Sequence, residues 1–283
     1  MLYLQSQKEV SDALAQVGYL PSTEIATTVF LATKLAKPIL VEGPAGTGKT
    51  ELAKALSRAF SLELIRLQCY EGLDESRALY EWDYRKQLLA LQAGADQEVQ
   101  SIFSQEFLLE RPLLAALRGE AEKILLIDEV DRLEVETEAL LLEVLAEFQV
   151  TVPELGTVVA TSKPIVVLTS NGMRELSEAL KRRALYLYLD YPSQARELDI
   201  VRTAIPEIEE ELAERLVAIV ARLRSLDLKK SPSIAETLDW GRSLMALSVD
   251  SLDDDVLTAT LPILLKHRAD IERALKELSP RAS

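Results

Sequence analysis

The chain has 283 residues, 48% of them hydrophobic, and a formal net charge of −14. That is enough apolar material for one large folded domain or two modest ones, and the wrong sign for broad contact with a nucleic-acid backbone. No apolar run approaches the ~20 residues a bilayer span needs, and Met1–Glu9 lacks the basic-then-apolar order of a signal peptide. A single cysteine, Cys69, rules out an internal disulfide and fits a reducing, cytoplasmic setting, with an inert packed thiol as the expected state. A single histidine, His267, argues against a histidine-based triad or a multi-histidine zinc site.

In chain order, the spacing of apolar residues predicts a helix over Thr23–Ala36 that stops before Pro38. Pro38-Ile39-Leu40-Val41 predicts a buried parallel strand. It runs into Gly43-Pro44-Ala45-Gly46-Thr47-Gly48-Lys49-Thr50, which fits G-x-x-x-x-G-K-[ST]. Glycines there let successive N–H groups turn inward around a phosphate. Lys49 adds a full positive charge that reaches the β- and γ-phosphates, and Thr50 offers a hydroxyl to Mg²⁺. Glu51–Ser57 is rich in helix formers, so strand, glycine-rich turn and helix follow one another and place phosphates at the positive end of a helix dipole. Gly43 to Thr50, with Glu51, are therefore the candidate contacts to ATP.

A second strand is expected over Leu62–Leu67, weak periodicity over Tyr70–Trp82, and a helix over Phe107–Leu117. Ile124–Ile127 is an unbroken apolar strand that delivers Asp128 and Glu129 at its C-terminal end, the edge where ligands bind in a parallel sheet. Asp128 is placed to hold Mg²⁺ through its water shell, and Glu129 to orient and polarise the water that attacks the γ-phosphate. Val135–Phe148 reads as an amphipathic helix with Leu140, Leu141, Val144, Leu145 and Phe148 on one side, and Val150–Ala160 as a hairpin. Ile165–Thr169 is another buried strand, followed by Asn171, whose amide can hydrogen-bond both phosphate and water. Lys181-Arg182-Arg183 ends a helical segment; it is either a favourable cation cluster at a helix C-terminus or a source of arginine for a neighbouring subunit's site. Tyr186–Leu189 is the last strand.

After Pro192 only helical patterns remain: Glu207–Leu223, Ser233–Leu247, and a third helix opened by Asp253-Asp254-Asp255, which Pro262 is expected to interrupt or kink. The fold class is α/β, with a five-stranded parallel sheet between helices over 1–192 and a smaller all-helical lid over 193–283.

These features, in this order, resemble the AAA+ ATPases. Gly43–Thr50 is similar to their Walker A motif, Ile124–Glu129 to Walker B, Asn171 to the sensor 1 position, and Arg183, or alternatively Arg182, to the arginine finger. The hairpin Val150–Gly156 and Arg66-Leu67-Gln68 narrow the resemblance to the MoxR family. Leu67–Asp74, Tyr80-Glu81-Trp82, Glu110–Leu114 and Ala235–Trp240 resemble its branch linked to carbon monoxide dehydrogenase maturation. The resemblance implies a homo-hexameric ring with ATP and Mg²⁺ between subunits, and a chaperone or remodelling task on a protein client. It also implies a partner carrying a von Willebrand factor A domain. A low-turnover switch or scaffold is the alternative. One departure stands out. The family places an arginine, sensor 2, after Ser-Pro at the start of a lid helix; here Ser231-Pro232 is followed by Ser233, and Arg242 lies further along. Tyr80, Trp82 and Tyr84 are either a partner surface or packed core.

Overall fold

A computed structural model gives the chain at residues 4–93, 102–249 and 251–278. Helix α1 (Gln7–Gln16) and helix α2 (Thr23–Leu35) each begin at a serine, Ser6 or Ser22, whose hydroxyl accepts a bond from an amide of the first turn. That satisfies one of the donors a helix leaves unpaired. Strand β1 (Ile39–Glu42) follows, then the glycine-rich turn, α3 (Lys49–Phe60) and β2 (Glu63–Gln68). Next come α4 (Glu75–Ala78), β3 (Tyr80–Trp82), α5 (Tyr84–Ala93), β4 (Leu108–Glu110) and α6 (Pro112–Leu117).

Here the expectation of one helix over Phe107–Leu117 is corrected. Leu108–Glu110 pairs antiparallel with Tyr80–Trp82, and the helix starts only at Pro112, whose fixed φ suits a first turn. The aromatics divide. Trp82 is buried with its ring edge-on to Phe103 at 5.3 Å, while Tyr84 is exposed.

The chain continues through β5 (Lys123–Asp128), α7 (Val135–Glu147), the hairpin β6 (Gln149–Val152) and β7 (Gly156–Val159), β8 (Ile165–Ser170), α8 (Glu178–Arg183) and β9 (Leu185–Tyr188). Five of these strands form one parallel sheet in the order β2-β5-β8-β1-β9. Its inner strands β5, β8 and β1 are covered on both faces, which is why Ile124–Ile127 and Ile165–Leu168 are unbroken apolar runs, all buried. The order sets the C-terminal ends of β1, β5 and β8 side by side.

Beyond Leu189 the chain is helical: α9 (Gln194–Ala204), α10 (Glu210–Arg224), α11 (Ile234–Ala246), α12 (Asp254–Leu264) and α13 (Arg268–Leu278). Trp240 is fully buried at their centre, and its indole N–H donates to Thr260 Oγ1 at 2.9 Å. Pro262 does not interrupt α12. It lies near the helix end, where little of the hydrogen-bond ladder remains to be lost, and the Lys266 ammonium caps the Pro262 and Ile263 carbonyls. The contacts divide the chain into two compact units: Met1–Gly43 with Lys49–Tyr188, and Pro44–Gly48 with Leu189–Ser283.

Candidate nucleotide site

The phosphate-loop lysine opens α3 with its side chain buried, and its Nζ donates to the Gly43 carbonyl at 2.7 Å. Burial pulls the Lys49 pKa below the usual lysine value; the carboxylates of Asp131, Asp128, Glu129 and Glu42 oppose the shift without cancelling it. Beside it, Thr50 Oγ1 donates to Asp128 Oδ1 at 3.0 Å. A hydroxyl and a carboxylate are hard oxygen donors, the set Mg²⁺ prefers, and a buried ammonium among acids suits a phosphate that arrives with its own cation. The residues present thus fit ATP with Mg²⁺. In the other unit, Gly46 has φ 76°, and a Cβ there would fall 2.3 Å from Ser233 Cβ. Position 46 therefore needs glycine both for its backbone angle and for room.

Glu129 follows Asp128 in a left-handed conformation, φ 58° and ψ 49°, which costs a non-glycine residue about 1–3 kcal/mol and turns its side chain off the strand direction. Thr169 fixes this bend: its hydroxyl accepts from Glu129 N at 2.9 Å and donates to Asp128 Oδ1 at 2.5 Å, fully enclosed at the end of β8. Glu129 Oε2 is held by Arg132 Nε at 2.8 Å and by Gln68 Nε2 at 3.1 Å, while Oε1 faces the Asn171 amide at 3.5 Å. Arg66 Nη2 reaches Asp128 Oδ2 at 2.5 Å and also bonds Gln68. Asp131 is buried, and its Oδ2 accepts from the backbone N–H of Asn171 at 3.1 Å and of Met173 at 2.9 Å.

Lys49, Thr50, Asp128, Glu129 and Asn171 therefore share one sheet edge. Five further residues join them without having been singled out for a role: Arg66, Gln68, Asp131, Arg132 and Thr169. The β2–β5 register pairs Gln68 with Asp128 and so explains two of them, but the pairing of strands about 60 residues apart is invisible to local periodicity. Arg182 and Arg183 make contacts on their own helix. Arg183 Nη1 bonds the Ala179 carbonyl on its own helix at 2.9 Å, and the Arg182 side chain is 81% exposed, 4.0 Å from Glu178. In the helical unit, Ser233 forms a capping box with Glu236 at the start of α11, and Arg242 pairs with Asp239 at 3.5 Å on that helix.

Cys69 lies next to this edge, 1% exposed, with its amide bonded to the Asp128 carbonyl. Burial, then the carboxylates of Asp128, Asp131 and Glu129, push its thiol up to about 12. The native protein is expected to resist iodoacetamide under mildly alkaline conditions and to label fully once denatured, as read by mass spectrometry; rapid native labelling would show an open β2–β5 edge.

A parallel strand, glycine-rich loop and helix, with a Lys-Thr pair facing an Asp-Glu pair on the adjacent sheet edge, define a P-loop ATPase. The profile of the AAA domain (dynein-related subfamily) matches residues 38–184, and the chain belongs to that family. It is an ATPase whose substrate is ATP with Mg²⁺. Among its relatives, an uncharacterised Staphylococcus epidermidis protein is 28% identical over 76% of this chain and 78% of its own length. The gas vesicle ATPase GvpN of Haloferax mediterranei is 26% identical over 83% of this chain and 70% of its own. The fold is shared with a mutant of Thermotoga maritima RuvB, with a TM-score of 0.50 and 19% identity, covering 92% of this chain and 70% of that one. Among the described residues no helix is long and apolar enough to cross a membrane.

Proposed function

We propose that the chain is a MoxR-type AAA+ remodeller that hydrolyses ATP at sites shared between subunits of a homo-hexameric ring in the cytoplasm. Its client is a protein, in the branch that serves metalloenzyme maturation such as that of carbon monoxide dehydrogenase, with a von Willebrand factor A domain protein as partner. Residues 1–192 serve as the nucleotide domain and 193–283 as the lid. The observation that carries this reading is the meeting of Lys49, Thr50, Asp128, Glu129 and Asn171 at one sheet edge. The GvpN relative, itself named an ATPase, supports the hydrolytic part.

In this reading the Gly43–Thr50 loop and Glu51 bind the nucleotide, with Lys49 on the β- and γ-phosphates. Thr50 and Asp128 hold Mg²⁺, which when bound spreads the charge of the phosphates. Asn171 orients the attacking water, and Glu129 Oε1, the oxygen free of the Gln68 and Arg132 contacts, takes its proton. Arg183, or Arg182, reaches the neighbouring subunit's γ-phosphate. Arg182 is the more exposed of the two.

A second reading, a low-turnover switch, is favoured by one observation: Glu129 Oε2 is tied to Gln68 and Arg132, a hold that slows water activation if it persists with ATP bound. Phosphate release measured against protein concentration separates the two. The remodeller predicts specific activity that rises as rings assemble, followed in parallel by sedimentation, and that falls by about 10³-fold or more in an Arg182→Ala/Arg183→Ala protein that still binds ATP. A monomer with full turnover would contradict the shared site.

A further inference from the structure

The stripe of α7 that packs inward holds Leu141, Leu145 and, one turn earlier on the same side, Glu138. A carboxylate there stands where the pattern calls for an aliphatic side chain, and its side chain is only 2% exposed. Burying an ion is costly unless every oxygen is engaged. Both are. Glu138 Oε1 accepts from the Ser177 backbone N–H at 2.9 Å and from the Ser177 hydroxyl, and Oε2 accepts from Arg174 Nη2 at 2.9 Å. Burial raises the Glu138 pKa, but the bonds from Ser177 and Arg174 outweigh it and leave the carboxyl below its ordinary range, so it is ionised at neutral pH.

Ser177 is the N-cap of α8, its Oγ accepting from Leu180 N at 3.3 Å. That helix has six residues, too few to hold a direction by its own hydrogen bonds. Its direction therefore depends on tertiary contacts, the packing of buried Leu180 in the core and the grip on its first turn, and its last two residues are Arg182 and Arg183. At the other end of the same segment, Asp131 grips the Asn171 and Met173 amides, and Asp131 lies in the short 3-10 turn, Val130–Arg132, that begins at Glu129. The stretch from Asn171 to Ser177 is thus pinned at both ends by buried acids: one belongs to the turn of the water-activating glutamate, the other to α7.

We propose that Glu138 is a positioning residue that aims α8, and with it Arg182 and Arg183, at the neighbouring subunit's nucleotide, and that the Asp131–Glu138 pair couples the state of a subunit's own Glu129 and Asn171 to that aim. The inference rests on the shared-site reading above. It predicts a defect of a particular kind: a Glu138 variant keeps its own site intact and fails as an arginine donor.

Mixed assemblies test this. The Glu129→Gln subunit has a dead site and intact arginines; the Arg182→Ala/Arg183→Ala subunit has the reverse. Phosphate release should reappear when these two are mixed. Glu138→Gln alone should bind a fluorescent ATP analogue within about twofold of wild type and turn ATP over at least about tenfold more slowly, with KM little changed. Mixed with Glu129→Gln it should recover activity, because donor arginines return to an intact site; mixed with the double arginine variant it should not. Ser177→Ala, which removes the hydroxyl but keeps the amide, should show the same pattern more weakly and serves if Glu138→Gln does not fold. The opposite pattern of rescue, equal rescue by both partners, or unchanged turnover would overturn the inference. Failure of the control pair to recover would overturn the shared-site reading, and this inference with it.

Discussion

Lys49→Ala is expected to abolish measurable ATP binding at micromolar nucleotide. Lys49 is a buried ammonium whose bond to the Gly43 carbonyl is one that phosphate oxygens can replace. A hydrogen bond to a charged group contributes about 1.5–3 kcal/mol, and two phosphates share this one donor. Losing it weakens binding by roughly 10–100-fold from that term alone. The acids around it add to the loss, because Asp128, Glu129, Asp131 and Glu42 would then face the triphosphate without the cation that offsets them. Titration of a fluorescent nucleotide checks this. The fold should survive, since alanine is a good helix former at the first position of α3. Binding retained within a few-fold would mean that the loop backbone alone holds the phosphates.

Glu129→Gln is expected to leave binding intact and to slow hydrolysis by about 10²–10⁴-fold, the range for a general base. Glutamine matches glutamate in size and keeps an oxygen for the Gln68 and Arg132 donors, so the strained turn at φ 58° and its Thr169 anchor should persist. On the proposed role, what is lost is the capacity of Oε1, which faces the Asn171 amide, to take a proton from the attacking water. The result therefore isolates chemistry from binding in a way that Lys49→Ala does not.

The inner strands of the main sheet were legible because they are buried on both faces. Ile124–Ile127 and Ile165–Leu168 carry no polar interruption, and Lys123–Asp128 forms the strand that the apolar run announces. Gly43–Thr50 and Asp128-Glu129 were legible for a different reason: their chemistry needs particular residue types at fixed spacing. The elements that escaped are short or weakly patterned. Helix α5 exposes Leu88, Leu89 and Leu91 and buries Gln87, an inversion that defeats a periodicity argument. Strand β4 has three residues and exists because β3 lies beside it, which no local window records. Helices α1 and α9 are polar on most faces and announce themselves weakly.

At the site, the missing part was the support rather than the chemistry. Thr169 stands two residues before Asn171, yet its hydroxyl acts across a strand pair on Asp128 and Glu129, far away along the chain. Glu138 and Asp131 look like ordinary helix and turn acids in the sequence. Only their burial, and the amides they hold, set them apart. Ser233 marks the reverse case. Its departure from the arginine expected after Ser-Pro was plain in the sequence, and the close approach of Gly46 shows that a small side chain stands there.

Whether Glu129 activates water is tested most directly by steady-state phosphate release from saturating Mg-ATP, run on wild type and Glu129→Gln at matched concentration, with nucleotide affinity measured on the same samples. Wild type should turn ATP over, the variant should lose about 10²-fold or more, and the two affinities should agree. Unchanged turnover in Glu129→Gln would contradict the role assigned to this carboxylate and, with it, the hydrolytic site built around Lys49, Thr50, Asp128 and Asn171.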